Sequence, residues 1–280
     1  STKKAGKILV LSDSHGLDAE ILEAVLDNFG QEVDVLLFCG DGFSDVGEVI
    51  QKAFSNEKLQ EKLPSLVAYV RGNNDERSYV ISAPYSEEID KEKTENHDNF
   101  KIIQLNIPES ITFLLAGRRI FATHGHRHCV NYGFEQLYTI ADNLTCDMVF
   151  YGHTHRAYFE ETHGTLFLNP GSLCYPRGGQ EPSFAIVSFP GISERYGVEY
   201  YTVDKNIIVS EIGIGTEATT ISPQKYYVIQ NLGTNGYVYD GGTNISPSQA
   251  VTFNNLFRFE EIRSDVYKIS SVATSDYVHA

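Results

Sequence analysis

The sequence has few basic residues, no long apolar run and no closely spaced pair of cysteines. Lysine and arginine number 22 against 37 aspartate and glutamate residues, so the formal net charge is −15. Proteins that coat nucleic acid or anionic lipid present a basic face, so we expect neither stable nucleic-acid binding nor a membrane partner. No apolar run approaches the ~18 residues of a membrane-spanning helix, and no apolar core follows the polar N-terminal residues as a signal peptide requires.

The cysteines are Cys39, Cys129, Cys146 and Cys174, and their wide spacing includes no Cys-x-x-Cys pair. Scattered thiols favour reduced cysteines and a cytoplasmic location over a disulfide framework, with one or two bridges as the alternative. The composition, 41% hydrophobic and 21% charged, supports a packed core. A chain of 280 residues allows one large domain, or one ordinary domain with an appendage.

The N-terminal part alternates short apolar runs with helical patterns. Residues 7–11, 35–38 and 66–70 are predicted strands, and helices are predicted over 21–29, ended by Gly30, and over 46–63. Three strands in a row, with a helix between each strand and the next, predict a parallel sheet with right-handed crossovers.

Beyond a charge-rich segment at 85–100, expected to be an exposed loop, the pattern changes to short strands. One helix is predicted over 134–144, and strands are predicted over 101–107, 111–116, 118–123, 147–150, 157–161, 165–168, 183–189 and 197–203. We expect an α/β domain over residues 1–204, a linker over 205–222, and a small all-β C-terminal appendage over 223–280.

Five of the predicted strands end in a polar cluster that combines glycine with Asp, His or Asn. Ligand sites in open α/β sheets form outside the carboxyl ends of the strands, so we expect these clusters to converge. Together they supply two carboxylates, one amide and four imidazoles: Asp13, Asp41, Asn73, His15, His124, His153 and His155.

Oxygen and nitrogen donors without a thiolate favour Mn²⁺, Fe²⁺, Zn²⁺ or Ni²⁺. Seven donors suit two ions that share a carboxylate, which is the arrangement that clamps an in-line displacement at phosphorus. Two dications against two aspartates leave a charge of about +2, so even an acidic protein can hold a phosphate there. Alternatively, Asp13 and Asp41 are helix N-caps or turn residues and Asn73 is a left-handed turn residue.

The motifs Asp-x-His, Gly-Asp, Gly-Asn, His-Gly-His and Gly-His-Thr-His occur in that order between Asp13 and His155. They resemble the calcineurin-like metallophosphoesterase superfamily, in particular its compact prokaryotic phosphodiesterase branch, and the resemblance covers about residues 7–204. It implies a β-sandwich of two mixed sheets flanked by helices. It also implies hydrolysis of a phosphodiester by a metal-bridging hydroxide, with Mn²⁺ the expected metal.

The resemblance also implies a role for each donor. Asp41 would bridge the two metals and so be catalytic, as would Asn73. The first metal would be held by Asp13, His15 and His155, and the second by Asn73, His124 and His153.

The chain departs from the family pattern at one position. Many relatives have Gly-Asn-His followed by an acidic residue, and that histidine acts as general acid, whereas Asn74 stands there in this chain. An amide does not donate a proton to a leaving group at neutral pH. The nearest substitute is His126, with orientation of His124 or Asp41 as its alternative role.

The expected substrate is a small phosphodiester or nucleotide. The alternative functions are a phosphatase or nucleotide pyrophosphohydrolase using the same site, and a protein-interaction scaffold like the retromer subunit of this fold. The complete donor set favours an enzyme, because a degenerate scaffold should have lost ligands. A faint repeat, residues 226–238 against 266–278, predicts a β appendage. We expect it either to pack on the domain of residues 1–204 or to pair with another copy of the chain through an open strand edge.

Overall fold

The computed structural model describes residues 5–16, 19–84, 100–189 and 196–202, together with the backbone of strands between residues 207 and 271. The helices are α1 Ala19–Phe29, α2 Phe43–Ala53, α3 Glu57–Lys62 and α4 Glu135–Leu144. The strands up to residue 209 are β1 Gly6–Leu11, β2 Val35–Phe38, β3 Leu66–Tyr69, β4 Ser78–Pro84, β5 Phe100–Asn106, β6 Ser110–Leu115, β7 Arg118–Thr123, β8 Met148–Phe150, β9 Ala157–Thr162, β10 Thr165–Pro170, β11 Ser183–Phe189, β12 Gly197–Thr202 and β13 Ile207–Val209.

Two mixed sheets form the main architecture. The six-stranded sheet has the order β13-β12-β11-β1-β2-β3, in which β1, β2 and β3 are parallel and the other pairs are antiparallel. The five-stranded sheet has the order β6-β7-β8-β10-β9, and its parallel pairs are β7 with β8 and β8 with β10. The predicted β-sandwich of two mixed sheets flanked by helices is confirmed.

Alternating side chains of the central strands divide the core into three layers. Leu37 of β2 and Phe150 of β8 belong to the layer between the sheets, whereas Leu36 faces the opposite side, toward α1 and α2. Val149 of β8 likewise turns away from the other sheet and packs with Leu137 of α4. Strands buried on both faces are apolar throughout, and this explains why continuous apolar runs predicted them.

The helix predicted over 46–63 is wrong in its extent, because the structure divides that segment into α2 and α3. The break lies at Asn56, whose backbone is extended and whose side-chain oxygen accepts the N–H of Leu59 at 3.3 Å. This side chain caps the N-terminus of α3 and so favours a new helix over continuation of the old one. Gly30 does not cap α1 but begins a short 3-10 helix, Gly30–Glu32.

Strands β4 and β5 form a separate two-stranded sheet. The sequence predicted β5 but not β4. The outer edge of β4 is covered by the side-chain amide of Gln51 on α2, which bonds both the N–H and the C=O of Ser82 at 2.5 Å. A glutamine side chain therefore replaces a neighbouring strand. The loop expected over residues 85–100 lies almost wholly outside the described residues.

The C-terminal part contains two three-stranded antiparallel sheets, with the orders β14-β18-β19 and β15-β16-β17. Their strands are β14 Tyr226–Val228, β15 Gln230–Asn231, β16 Gly236–Asp240, β17 Ile245–Ser248, β18 Leu256–Arg263 and β19 Val266–Ser271. The described elements of this part are all strands, in agreement with the expected β appendage. The domain boundaries stay predictions, and β13 lies within the expected linker. The predicted contact between copies of the chain also stays a prediction.

None of the described helices is both long and apolar enough to cross a membrane.

Apolar side chains buried in the layer between the sheets should contribute more to stability than exposed apolar side chains. Leu37 is 0% exposed in a central strand, whereas Leu66 is 46% exposed in the edge strand β3. We expect Leu37→Ala to lower the free energy of unfolding by about 2–5 kcal/mol, because it removes buried carbons and leaves a cavity. Leu66→Ala should change it by less than about 1 kcal/mol. Urea unfolding followed by circular dichroism measures both, and equal losses would contradict the layer assignment.

Candidate metal centre

The polar clusters that follow β1, β2, β7 and β8 meet at the carboxyl ends of these strands. Asp13 and His15 follow β1, Asp41 follows β2, and His124 follows β7. His153 and His155 lie on the turn after β8. The predicted convergence is confirmed for these side chains.

The backbone at the site is left-handed at five candidate ligands. The φ angle is positive at Asp13 (56°), His15 (58°), Asp41 (59°), His153 (70°) and His155 (58°). Residues other than glycine adopt this conformation rarely, and such positions cluster where function constrains the chain. These turns reverse the chain directly after a strand.

Backbone hydrogen bonds join the turns to one another. The N–H of Asp13 donates to the carbonyl of Gly40 at 2.9 Å, and that of His15 donates to the carbonyl of Asp41 at 2.8 Å. The turn after β1 and the turn after β2 therefore form one unit.

One group of donors consists of Asp13, His15 and His155, whose donor atoms lie within 4.8 Å of one another. The Nε2 of His155 is 3.3 Å from Oδ1 of Asp13 and 3.2 Å from Nε2 of His15. The Nδ1 of His155 lies 2.7 Å from the carbonyl of Tyr175. When Nδ1–H donates to that carbonyl, the lone pair of Nε2 is directed at the other two ligands.

A second group consists of Asp13, Asp41 and His124, again with donor atoms within 4.8 Å. The Nε2 of His124 is 3.4 Å from Oδ2 of Asp41 and 3.9 Å from Oδ1 of Asp13. Its Nδ1 lies 2.7 Å from the carbonyl of Cys39, which directs Nε2 at the carboxylates. The two groups share Asp13, and Asp41 belongs to the second.

Buried atoms without partners test whether a metal fits. Oδ1 of Asp13 and Nε2 of His124 are both buried and have no hydrogen-bond partner among the described residues. Both residues are 0% exposed. Buried polar atoms of folded proteins are nearly always satisfied, and a divalent cation between these two would satisfy both. The donor set therefore fits a divalent metal.

The pKa shifts of the site residues also favour a bound cation. Burial alone lowers the pKa of His124, but the carboxylates of Asp41 and Asp13 outweigh it and raise that pKa above its usual value. His155 behaves likewise, because Asp13 raises its pKa against the effect of burial. Burial tends to raise the pKa of Asp41, yet His124 and the amide groups of Asn74 hold it well below the usual range. The carboxylates thus demand positive charge, which a metal supplies in place of protons.

The other two predicted ligands, His153 and Asn73, belong to neither of these two groups. The ring centroid of His153 lies 5.1 Å from that of His124, and the N–H of His153 donates to Oδ2 of Asp13 at 3.1 Å. Asn73 lies in the loop that passes Asp41, and its side chain is exposed.

The neighbour of Asn73 contacts Asp41 instead. The backbone N–H of Asn74 donates to Oδ1 of Asp41 at 2.8 Å, and its side-chain amide donates to Oδ2 at 2.6 Å. Gly72 comes so close that a Cβ atom there would overlap this carboxylate. The residue in the place of the family's histidine therefore orients the predicted bridging carboxylate.

Asp75 holds the backbone of the same turn and was missed from the sequence. Its carboxylate accepts the N–H groups of Asp41 (2.7 Å), Gly42 (2.8 Å), Phe43 (2.9 Å) and Gly72 (2.9 Å). An acidic residue directly after Gly-Asn-Asn was a possible signal, since carboxylates accept backbone N–H groups at turns. The loop of residues 72–75 thus fixes both the backbone and the side chain of Asp41.

The Asn-Pro-Gly-Ser segment after β10 supports the site from the other side. The buried amide of Asn169 donates to the carbonyl of Gly152 at 2.8 Å, within the turn that carries His153 and His155. The hydroxyl of Ser172 donates to the carbonyl of Asp13 at 2.7 Å. These residues orient the ligands without offering donors to the metal.

His126 borders the site without bonding to Asp41 or His124. Its ring centroid is 5.4 Å from that of His124, and its Nε2 is 3.9 Å from Oε2 of Glu109. Burial, followed by repulsion from His124 and His153, lowers the pKa of His126 to about 4. The role of His126 as general acid stays a prediction.

Substitution of Asp75 tests whether its carboxylate holds the turn that carries Asp41. In Asp75→Asn an amide group meets backbone N–H groups, so we expect the free energy of unfolding to fall by about 1–3 kcal/mol. Displacement of Asp41 should also weaken Mn²⁺ binding about 10- to 100-fold. Urea unfolding and calorimetric titration with Mn²⁺ measure the two effects. Glu76→Gln, at an exposed neighbour, is the matched control, and unchanged Mn²⁺ affinity in Asp75→Asn would contradict this role.

Comparisons with known proteins agree with this geometry. The family model of the calcineurin-like phosphoesterase superfamily domain matches residues 7–190. A probable metallophosphoesterase of Bacillus subtilis, YsnB, is 29% identical over 184 residues, which cover 65% of this chain and 83% of that protein. The phosphodiesterase YfcE of Escherichia coli K12 is 27% identical over 192 residues, covering 65% of this chain and 86% of the relative.

A solved structure is also similar. It is a conserved uncharacterized protein of Streptococcus pneumoniae TIGR4, described as a predicted phosphoesterase. It superposes with a TM-score of 0.51 at 27% identity, covering 72% of this chain and 92% of that one. Sequence motifs, fold and donor geometry therefore lead to one conclusion: the chain belongs to the calcineurin-like phosphoesterase superfamily, a class of metal-dependent phosphoric ester hydrolases.

Proposed function

We propose that this chain is a phosphodiesterase that uses two divalent metal ions to hydrolyse a small phosphodiester or nucleotide. The observation that carries the proposal is the pair of buried, unpartnered atoms, Oδ1 of Asp13 and Nε2 of His124, which face each other across 3.9 Å. Without a cation, a buried carboxylate in this position is strongly unfavourable. The family membership supports the reaction class.

The proposed ligands divide into two sets around Asp41. Asp13, His15 and His155 would hold the first ion, and Asn73, His124 and His153 the second, with Asp41 between them. The first set is supported by donor atoms within 4.8 Å of one another. We propose Mn²⁺ as the native metal, because the donors are oxygen and nitrogen without thiolate, a set that Fe²⁺, Zn²⁺ and Ni²⁺ also accept.

When bound, two divalent ions supply the positive charge that holds the phosphate and lowers the pKa of an attacking water. The protein's own groups supply orientation. Carbonyl groups of Cys39 and Tyr175 fix the rings of His124 and His155 through their Nδ1 atoms. Asn74 and Asp75 hold Asp41, so the donor atoms need little reorganisation when substrate binds.

The asparagine at position 74, in the place of the family's histidine, limits which substrates can be hydrolysed. An amide offers no acidic proton, so the leaving group must depart as a stable anion or take its proton from water. We therefore propose that diesters with acidic leaving groups are the better substrates. His126 lies beside His124 and His153, and we propose that it faces the substrate.

A phosphatase or nucleotide pyrophosphohydrolase would use the same donors, and relative rates on monoesters, diesters and polyphosphates distinguish these enzymes. The scaffold alternative requires a protein that turns over none of these substrates. A cytoplasmic location is proposed from the four free and scattered thiols.

The direct test is hydrolysis of bis(p-nitrophenyl) phosphate. We expect turnover that exhaustive chelation abolishes and Mn²⁺ restores, with ~2 ions per chain by elemental analysis. Asp41→Asn should lower kcat at least about 100-fold, because it removes charge from the carboxylate assigned to both metals. His163→Gln, on an exposed turn, serves as the control. Full turnover in a metal-free preparation would refute the proposal.

The two asparagines provide a sharper test of the assignment. Asn73→Ala should lower kcat about 100-fold because it removes a proposed ligand. Asn74→Ala should lower it less than about 10-fold, because it removes only a hydrogen bond to Asp41. Elemental analysis of both variants shows whether the second ion is lost with Asn73 alone. Equal losses would mean that the assignment is in the wrong register.

A further inference from the structure

Tyr175 combines a firmly held backbone with an exposed ring. Its N–H donates to Oγ of Ser172 at 2.8 Å, and its carbonyl accepts from Nδ1 of His155 at 2.7 Å. Nevertheless 51% of the residue is exposed. Other aromatic residues of this chain, such as Tyr200, are fully buried, and their rings contribute to the core.

The bonds that hold Tyr175 also hold the metal centre. Ser172, which accepts its N–H, donates its own hydroxyl to the carbonyl of Asp13 at 2.7 Å. The carbonyl of Tyr175 orients the ring of His155. The backbone of the tyrosine is therefore fixed relative to two candidate ligands.

The ring itself lies against the centre. Its centroid is 5.5 Å from that of His15, and the two rings meet edge to face at 72°. His15 is in turn 4.9 Å, centroid to centroid, from His155. An exposed aromatic residue thus stands beside the first group of ligands.

We infer that Tyr175 is an aromatic platform on which a planar ring of the substrate, such as a nucleobase, stacks. This inference rests on the proposed phosphodiesterase function and narrows its substrate class to phosphate esters that carry an aromatic ring. Such stacking tolerates different bases because every base has a π-face, so Tyr175 sets the class of substrate rather than its identity.

A matched pair of ligands isolates the platform. Adenosine monophosphate and ribose 5-phosphate share the phosphate and the sugar, and they differ in the base alone. With the Mn²⁺-loaded protein, calorimetric titration should give adenosine monophosphate an affinity about 10-fold higher than that of ribose 5-phosphate.

Three variants decide whether Tyr175 causes this preference. Tyr175→Ala should bring the two affinities within about 2-fold of each other, while Tyr175→Phe, which keeps the ring, should preserve the difference. Tyr132→Ala, at a loop residue that is 94% exposed, is the control and should also preserve it. A purely structural role of Tyr175 predicts instead that Tyr175→Ala weakens both ligands equally.

The results of these titrations test the Tyr175 platform separately from the proposed phosphodiesterase function. Equal affinities in the unmodified protein, a preference that survives in Tyr175→Ala, or equal weakening of both ligands would each overturn the platform. Hydrolysis of bis(p-nitrophenyl) phosphate in the same preparation tests the phosphodiesterase separately. A preference for the base without any turnover would retain the platform as a binding site and refute the enzyme.

Discussion

The burial of negative charge at the junction of the two sheets is the constraint on which the site depends. Asp13 and Asp41 are 0% and 1% exposed, and the imidazole of His124 beside them is 0% exposed. Carboxylates taken out of water are stable only with compensating positive charge. The carboxylates raise the pKa values of His124 and His155 for this reason, and divalent metal ions would supply the same compensation. This local charge also explains how a chain of net charge −15 can belong to a family that binds phosphate.

Around this charge the fold supplies two kinds of support. The strands bring the turns together, and left-handed residues such as Asp13 and Asp41 aim their side chains into one place directly after the strands end. The carboxylate of Asp75, which accepts backbone N–H groups, and the hydroxyl of Ser172, which donates to a carbonyl, then hold those turns in a conformation that the local sequence alone would rarely adopt. The residues that orient the ligands are as much part of the site as the ligands themselves.

The two sides of the centre differ in a way that bears on the substrate. On one side Asn74 replaces a proton donor with an amide that bonds Asp41, so this position orients a ligand rather than assisting a leaving group. On the other side the ring of Tyr175 stands exposed beside His15. A substrate with an acidic leaving group and a planar ring suits both features.

The sequence by itself determined the strands and most of the donors, because both leave local signals, and the resemblance of its motifs to a known family implied the sandwich. Strands such as β1 and β2 are buried on both faces, so their sequences are continuous apolar runs. The donors Asp13, His15, His124, His153 and His155 follow such strands directly. The sequence did not separate α2 from α3, since helical periodicity continues through the cap at Asn56. Only the tertiary structure decided that Asn74 contacts Asp41, that Asp75 binds four backbone N–H groups, and that Tyr175 stands beside His15. Apart from the bond between Asp75 and Gly72, these contacts join residues 32 to 160 positions apart. They form only when separate strands end at the same edge, so no local pattern encodes them.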